Sequence, residues 1–273
     1  MIYEKAYAKV NLALSVGKKI DQYHEVENIM IPVNLYDELF FEVAASNQIE
    51  CNVEIENNLC EKAIRLFQKK YGIEQGVSLI LKKNIPLQAG LAGGSSDAAA
   101  TLRGLNRLFD KKISNVELEE IAKELGSDVS FFLYNQPALC VGRGEIIQTF
   151  DFNIAPISLL IIKPNYGLST KEVYEKYQFD GLSRELKLKK LIEALKGTDL
   201  SLIDQLIFND LEPVALEQNE NLMSLFQQLS SLSYLPHISG SGPSIFLLDA
   251  KMADYEIVKN IDSDLNLFLC HSI

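Results

Sequence analysis

One stretch constrains this chain more than any other: Ile85-Pro86-Leu87-Gln88-Ala89-Gly90-Leu91-Ala92-Gly93-Gly94-Ser95-Ser96-Asp97-Ala98-Ala99-Ala100. It follows a strand candidate, Val77 to Leu81, and runs into a helix whose first turns are nearly all small residues. Glycine permits positive φ, so such a loop can turn its N–H groups toward one point. The helix that follows adds unpaired N–H donors and the positive end of its dipole. Ser95 and Ser96 place hydroxyls where a phosphate oxygen or a magnesium ion could sit. The same glycines would also serve a tight turn, with Ala98, Ala99 and Leu102 packed on a sheet. Paired serines at the helix start favour the anion cradle. The loop is not of the Walker type, because no Lys follows Gly94, and it lacks the GxGxxG spacing of dinucleotide folds. Gly142-Arg143-Gly144-Glu145 misses that spacing too, since Ile146 and Ile147 stand where its third glycine would fall.

A local cradle is what this chain needs if it binds an anion. Its 26 Lys+Arg against 37 Asp+Glu give a net charge of −11 over 273 residues. A surface of that sign excludes a general nucleic-acid or anionic-membrane binder. The longest apolar run, Ile157 to Ile162, is far short of the ~20 residues that span a bilayer. The start, Met1 to Lys5, lacks the basic and apolar regions of a signal peptide. Cys51, Cys60, Cys140 and Cys270, with His24, His237 and His271, show no zinc spacing. The cysteines read as buried thiols and the location as cytoplasmic.

The pattern of elements is α+β. In Ala6 to Leu14, Lys9 and Asn11 share one strand parity and Val10 and Leu12 the other. Leu39–Val43 and Ile49–Ile55 are further strand candidates. Asn58 opens a helix with Leu59, Ala63, Leu66 and Phe67 on one face. Ser114-Asn115-Val116-Glu117 predicts a capping box, and Ser169-Thr170-Lys171-Glu172 a second. Asp128 follows a helix end at Gly126 and precedes the apolar run Val129–Leu133, which predicts a helix–strand junction. Asp151 to Pro156 is the best boundary, dividing the chain into 1–153 and 154–273. Local sequence alone favours Lys9 as a strand lysine and Asp128 as a solvated turn residue, while His237 to Ser244 reads equally as a hairpin turn.

In order along the chain, these pieces resemble the GHMP kinases, the superfamily of galactose, homoserine, mevalonate and phosphomevalonate kinases. The motifs are Ala8-Lys9-Val10-Asn11-Leu12, Tyr23-His24-Glu25, Pro86–Ser96, Gly126-Ser127-Asp128-Val129, Gly142-Arg143-Gly144-Glu145, Asn209-Asp210-Leu211-Glu212 and Ser239-Gly240-Ser241-Gly242-Pro243. They are most similar to the branch that phosphorylates the 2-hydroxyl of a cytidine-diphosphate-linked methylerythritol in isoprenoid precursor synthesis. The resemblance implies an N-terminal domain like the second domain of ribosomal protein S5 and a ferredoxin-like C-terminal domain. It also implies ATP with Mg2+, a small-molecule acceptor, and a monomer or weak homodimer.

By the same resemblance, Lys9 and Asp128 are the catalytic pair. The ATP loop is Pro86, Leu87, Gln88, Ala89, Gly90, Leu91, Ala92, Gly93, Gly94, Ser95 and Ser96, with Ser96 the magnesium contact and Asn58 near the adenine. Tyr23, His24 and Tyr174 hold the cytosine, and Asn11 and Thr170 line the substrate side. Two departures from the family stand out: Gln22 after Asp21 where the family has Gly, and Ser130 where it has Pro. A GHMP-type kinase of another small alcohol, or a nucleotide-binding protein without catalysis, would carry the same motifs.

Overall fold

The computed structural model describes residues 1–21 and 23–273; Gln22, in the expected Asp21-Gln22 departure, lies outside the described residues. The chain opens with a long antiparallel hairpin, β1 (Ile2–Ile20) and β2 (Tyr23–Ala44). Register shifts at Tyr7/Ala8, Asn11/Ala13 and Val16/Lys19 let the hairpin bend rather than lie flat. From Ala8 to Val16 it is buried on both faces: Ala8, Val10 and Leu12 pack with Leu159, Ile161 and Phe246, and the other face carries the buried Lys9 and Asn11. The expected strand, Ala6–Leu14, is the middle of the real one, whose less buried ends lack a clear apolar pattern.

The first layer then adds β3 (Gln48–Cys51), α1 (Leu59–Tyr71), β4 (Gly76–Lys82), α2 (Gly93–Leu108), α3 (Asn115–Leu125), α4 (Val129–Tyr134), β5 (Ala138–Val141) and β6 (Ile146–Thr149). The remainder is β7 (Ser158–Lys163), α5 (Thr170–Lys176), α6 (Glu185–Gly197), α7 (Leu200–Leu206), β8 (Phe208–Asn209), α8 (Glu212–Glu217), α9 (Glu220–Ser231), β9 (His237–Ile238), β10 (Ile245–Leu248), α10 (Met252–Lys259) and β11 (Asn266–His271). A seven-stranded sheet runs β3-β4-β2-β1-β8, with β5 and β6 continuing from β2. A four-stranded antiparallel sheet runs β11-β7-β10-β9. The α+β class expected from the pattern holds. No helix among the described residues is long and apolar enough to cross a membrane.

Local chemistry sets several element ends. Asn58 caps α1 by accepting from the Cys60 amide. Ser114 and Glu117 form the reciprocal capping box of α3, and Ser169 accepts from Glu172 at the start of α5. One expectation fails. Val129–Leu133 is the body of α4, not a strand, so Asp128 sits between two helices. A buried run of five residues, four of them apolar, has no periodicity to separate the two structures, and contacts with α2 and α3 decide it. Ser130 falls in the first turn of α4, where proline is also tolerated, so the departure from the family pattern leaves the backbone path intact.

Candidate active site

A cleft of about 890 Å³ opens where the hairpin, the glycine-rich loop, the start of α5 and the 239–243 loop meet. Its floor is the loop leading into α2. Positive φ falls at Gln88, Gly90 and Ala92, whereas Gly93 and Gly94 are already helical. Gly90 is obligatory twice over: its φ is +73, and a Cβ there would meet the Ser239 carbonyl at 2.2 Å. At Gly94 a Cβ would meet nothing within 4 Å, so that face stands open. The first helical bond runs from the Ser96 amide to the Ala92 carbonyl at 3.0 Å. The amides of Gly93, Gly94 and Ser95 precede it and lack helical partners, which makes an anion site.

Pro86, Leu87, Gln88, Ala89, Gly90 and Ala92–Ser95 line the cleft. Leu91 instead turns into the core, and its carbonyl accepts from the Lys9 amide at 3.2 Å. Ser96 is 1% exposed and sits behind the loop, its Oγ buried without a hydrogen-bond partner among the described residues. Below the loop lies a buried triplet of titratable side chains that sequence reading missed. Lys83 pairs with Asp37 and, at 2.6 Å, with Asp97. Asp37 also accepts from the Asn84 and Ile85 amides, which fixes the entry to the loop. Burial pushes the Asp97 carboxyl up to about 8, against the pull of Lys83. Its members stand far apart in sequence, with no spacing to reveal them.

Lys9 and Asn11, on the same strand parity, both point into this cleft. Lys9 is 3% exposed, and its Nζ donates to Asn11 Oδ1 at 2.6 Å and to the Gly90 carbonyl at 2.9 Å. Since an ammonium only donates, the Asn11 atom facing it is the oxygen, and Asn11 Nδ2 donates to Asn28 Oδ1 at 2.7 Å. Burial lowers the Lys9 pKa, while the charge of Asp128 acts to raise it. Asp128 occupies the N-cap position of α4, yet its side chain makes no capping bond and lines the cleft. Burial, with the Asp128 charge adding to it, pushes the Tyr174 phenol well above its ordinary range. Lys9, Asp128 and Tyr174 therefore converge.

The far end of the cleft is aromatic. His24 Nδ1 lies 2.9 Å from the Gly17 carbonyl. A carbonyl only accepts, so Nδ1 carries the proton and Nε2 is left as an acceptor. The His24 ring centroid is 5.9 Å from that of Tyr174 and 5.7 Å from that of Tyr177. Tyr177 was not foreseen; it is the extended residue that ends α5, three positions beyond Tyr174. Tyr23 is 55% exposed, with the Arg143 guanidinium 5.0 Å above its ring. Thr170 Oγ1 is 2.8 Å from Ser241 Oγ at the cleft wall. Asn58 is not in this cleft. It lines a smaller cavity of about 450 Å³ beside Cys51 and Val53. Asn52, between two of its lining residues in sequence, bonds both backbone groups of Lys83, ahead of the glycine-rich loop.

Residues 58–136 match the family model described as GHMP kinases N terminal domain. A protein of Clostridium tetani (strain Massachusetts / E88) named 4-diphosphocytidyl-2-C-methyl-D-erythritol kinase is 38% identical over 249 residues, 89% of each chain. The crystal structure of a 4-(cytidine 5'-diphospho)-2C-methyl-D-erythritol kinase superposes with a TM-score of 0.83 at 28% identity, over 99% of both chains. A homoserine kinase from Cytophaga hutchinsonii ATCC 33406 shares the fold at 20% identity, with a TM-score of 0.76 over 100% of this chain and 94% of that one. With the glycine-rich loop and the Lys9 strand facing one cleft, and with identity of this extent along nearly the whole chain, the protein belongs to the 4-diphosphocytidyl-2-C-methyl-D-erythritol kinase family of the GHMP kinases.

Proposed function

We propose that the protein transfers the γ-phosphoryl group of ATP to the 2-hydroxyl of 4-diphosphocytidyl-2-C-methyl-D-erythritol, a step toward isoprenoid precursors. The observation that carries this reading is the convergence of Lys9 and Asp128 on the open amide end of α2. Phosphoryl transfer needs in-line placement, charge neutralisation and a destination for the hydroxyl proton. The acceptor O–H bond breaks as the new P–O bond forms; the proton goes to Asp128 and ADP leaves. Lys9, held by Asn11 and Gly90, keeps one N–H free for the charge developing on the transferred group. Among the described residues it forms no ion pair with Asp128, which leaves space for the reacting oxygen between them.

The amides of Gly93, Gly94 and Ser95 would hold the β- and γ-phosphates. Magnesium arrives with ATP, and the orphaned buried hydroxyl of Ser96 is the protein oxygen suited to it. That ion supplies charge neutralisation on the phosphates. The adenine end would extend toward Asn58 and the smaller cavity. At the other end, His24 Nε2 can accept from the exocyclic amine of cytosine while Tyr23 and Tyr174 cover its faces. The division at 153/154 then puts both reacting groups in the first part and Thr170 and Tyr174 in the second. A panel of alcohol acceptors tests the substrate: turnover confined to the cytidyl compound supports the reading, and turnover of another alcohol in its place refutes it. Asp128→Asn should lower kcat by about 10²–10⁴-fold.

A further inference from the structure

Asn209-Asp210-Leu211-Glu212 is the motif that the reaction leaves without a task. It begins in β8, which pairs with β1 at Ala13 and Leu14, two turns of the pleat beyond Lys9. Asn209 is 8% exposed, and its side chain is fully engaged. Nδ2 donates to the Ile238 carbonyl at 2.8 Å and to the Gly240 carbonyl at 2.7 Å, while Oδ1 accepts from the Leu211 amide at 2.9 Å. One amide thus grips the backbone on both sides of Ser239. Glu212 adds a bond to the Ile238 amide at 3.0 Å, and Asp210 takes the Val16 amide at 2.9 Å on β1.

What is gripped bears on the reacting lysine. Ser239 Oγ lies 3.2 Å from Asn11 Oδ1 and 3.0 Å from the Gly90 carbonyl. Those are the same two oxygens that hold Lys9 Nζ. Gly240 closes the other side: a Cβ there would stand 3.3 Å from Lys9 Nζ, and its φ is +58. The ammonium is thus enclosed by the glycine-rich loop, Asn11 and a loop that Asn209 clamps. Asn209 itself does not line the cleft.

We infer that Asn209 is a positioning residue for Lys9, acting through Ser239 and Gly240 rather than on any ligand. The inference rests on the kinase reading above. If the 238–240 backbone is released, Ser239 leaves the two shared oxygens and the ammonium gains room to swing. Ground-state ATP binding, which falls to the amides of α2, would be unaffected. Misplacement of a reacting group by about 1 Å can cost 10²-fold in rate.

The test is steady-state kinetics of the wild type, Asn209→Ala, Ser239→Ala and the double variant, with ATP and the cytidyl substrate. Each single variant should lower kcat about 10- to 100-fold, with KM for both substrates within about twofold. The double variant should be no more than about threefold slower than Asn209→Ala, because both changes break one linkage. Losses that multiply, a raised KM at unchanged kcat, or a Ser239→Ala enzyme within about twofold of wild type would each overturn the inference. Should Asn209→Ala fail to fold, Ser239→Ala decides alone, since it removes only a hydroxyl. Wild-type turnover is the separate control: its failure refutes the kinase reading, whereas a wild type that turns over beside an unimpaired Ser239→Ala refutes this inference only.

Discussion

At Lys9 two effects oppose each other. Burial disfavours the ammonium, while two oxygen acceptors and the nearby Asp128 charge favour it. Burial is the larger, so the group loses its proton below the ordinary lysine value, and kcat/KM should fall on the alkaline side before pH 10.5 is reached. A pH–rate profile whose alkaline limb lies at or above that value would contradict this. Gly90 carries a different load. Gly90→Ala combines a positive φ with a Cβ at 2.2 Å from the Ser239 carbonyl, so the two loops must part. A stability loss of about 1–3 kcal/mol is expected, with kcat falling more than the midpoint of thermal unfolding alone explains. Asp97 titrates in the opposite sense to most carboxylates. Its folded pKa of about 8 exceeds the ordinary 3.8, so the folded chain keeps a proton that the unfolded chain has lost. This group therefore subtracts stability as pH rises from about 4 to about 8. Asp97→Asn removes that dependence, so the unfolding temperature of the variant relative to wild type should climb across the same window and level off above it.

Elements with local signals were the legible ones. Ser114 and Glu117 lie three residues apart before an apolar stripe, and the box they form needs nothing from the rest of the molecule. Ser114→Ala should cost about 1 kcal/mol, read as a lowered denaturation midpoint at unchanged kcat. The loop from Pro86 to Ser96 was equally plain, because its glycines and serines have few other uses in that order. What its sequence did not reveal is which residues turn: Gln88 and Ala92 take positive φ beside Gly90, while Gly93 and Gly94 are helical. Elements decided by tertiary contact were not legible. The Val129–Tyr134 helix reads as a strand until α2 and α3 are known to pack on it. The hairpin strand runs beyond Ala6–Leu14 at both ends, where half-buried and exposed residues carry no clear apolar pattern.

At the scale of the whole molecule, the proposed function has an acidic chain hold a triphosphate mainly on main-chain amides. With a net charge of −11, the long-range field repels ATP, and the attraction is confined to a few ångströms. Added salt screens the repulsion before it weakens the amides. The KM for ATP should therefore hold steady or fall between low and physiological ionic strength; a steep rise would point to a cationic site in its place. The cleft was foreseen as a set of motifs in order, yet the links between them were not. The Asp37–Lys83–Asp97 triplet and the clamp from Asn209 to the Ser239 loop join residues 14 to 46 positions apart, where no spacing rule applies.

Co-crystallisation with a non-hydrolysable ATP analogue and the cytidyl substrate tests the proposed geometry most directly. The β- and γ-phosphates should be seated on the Gly93–Ser95 amides, and the acceptor 2-hydroxyl should lie within about 2.6–3.2 Å of the Asp128 carboxylate, with the Lys9 ammonium beside it. A triphosphate bound away from the start of α2, or a 2-hydroxyl that Asp128 cannot reach, would contradict it.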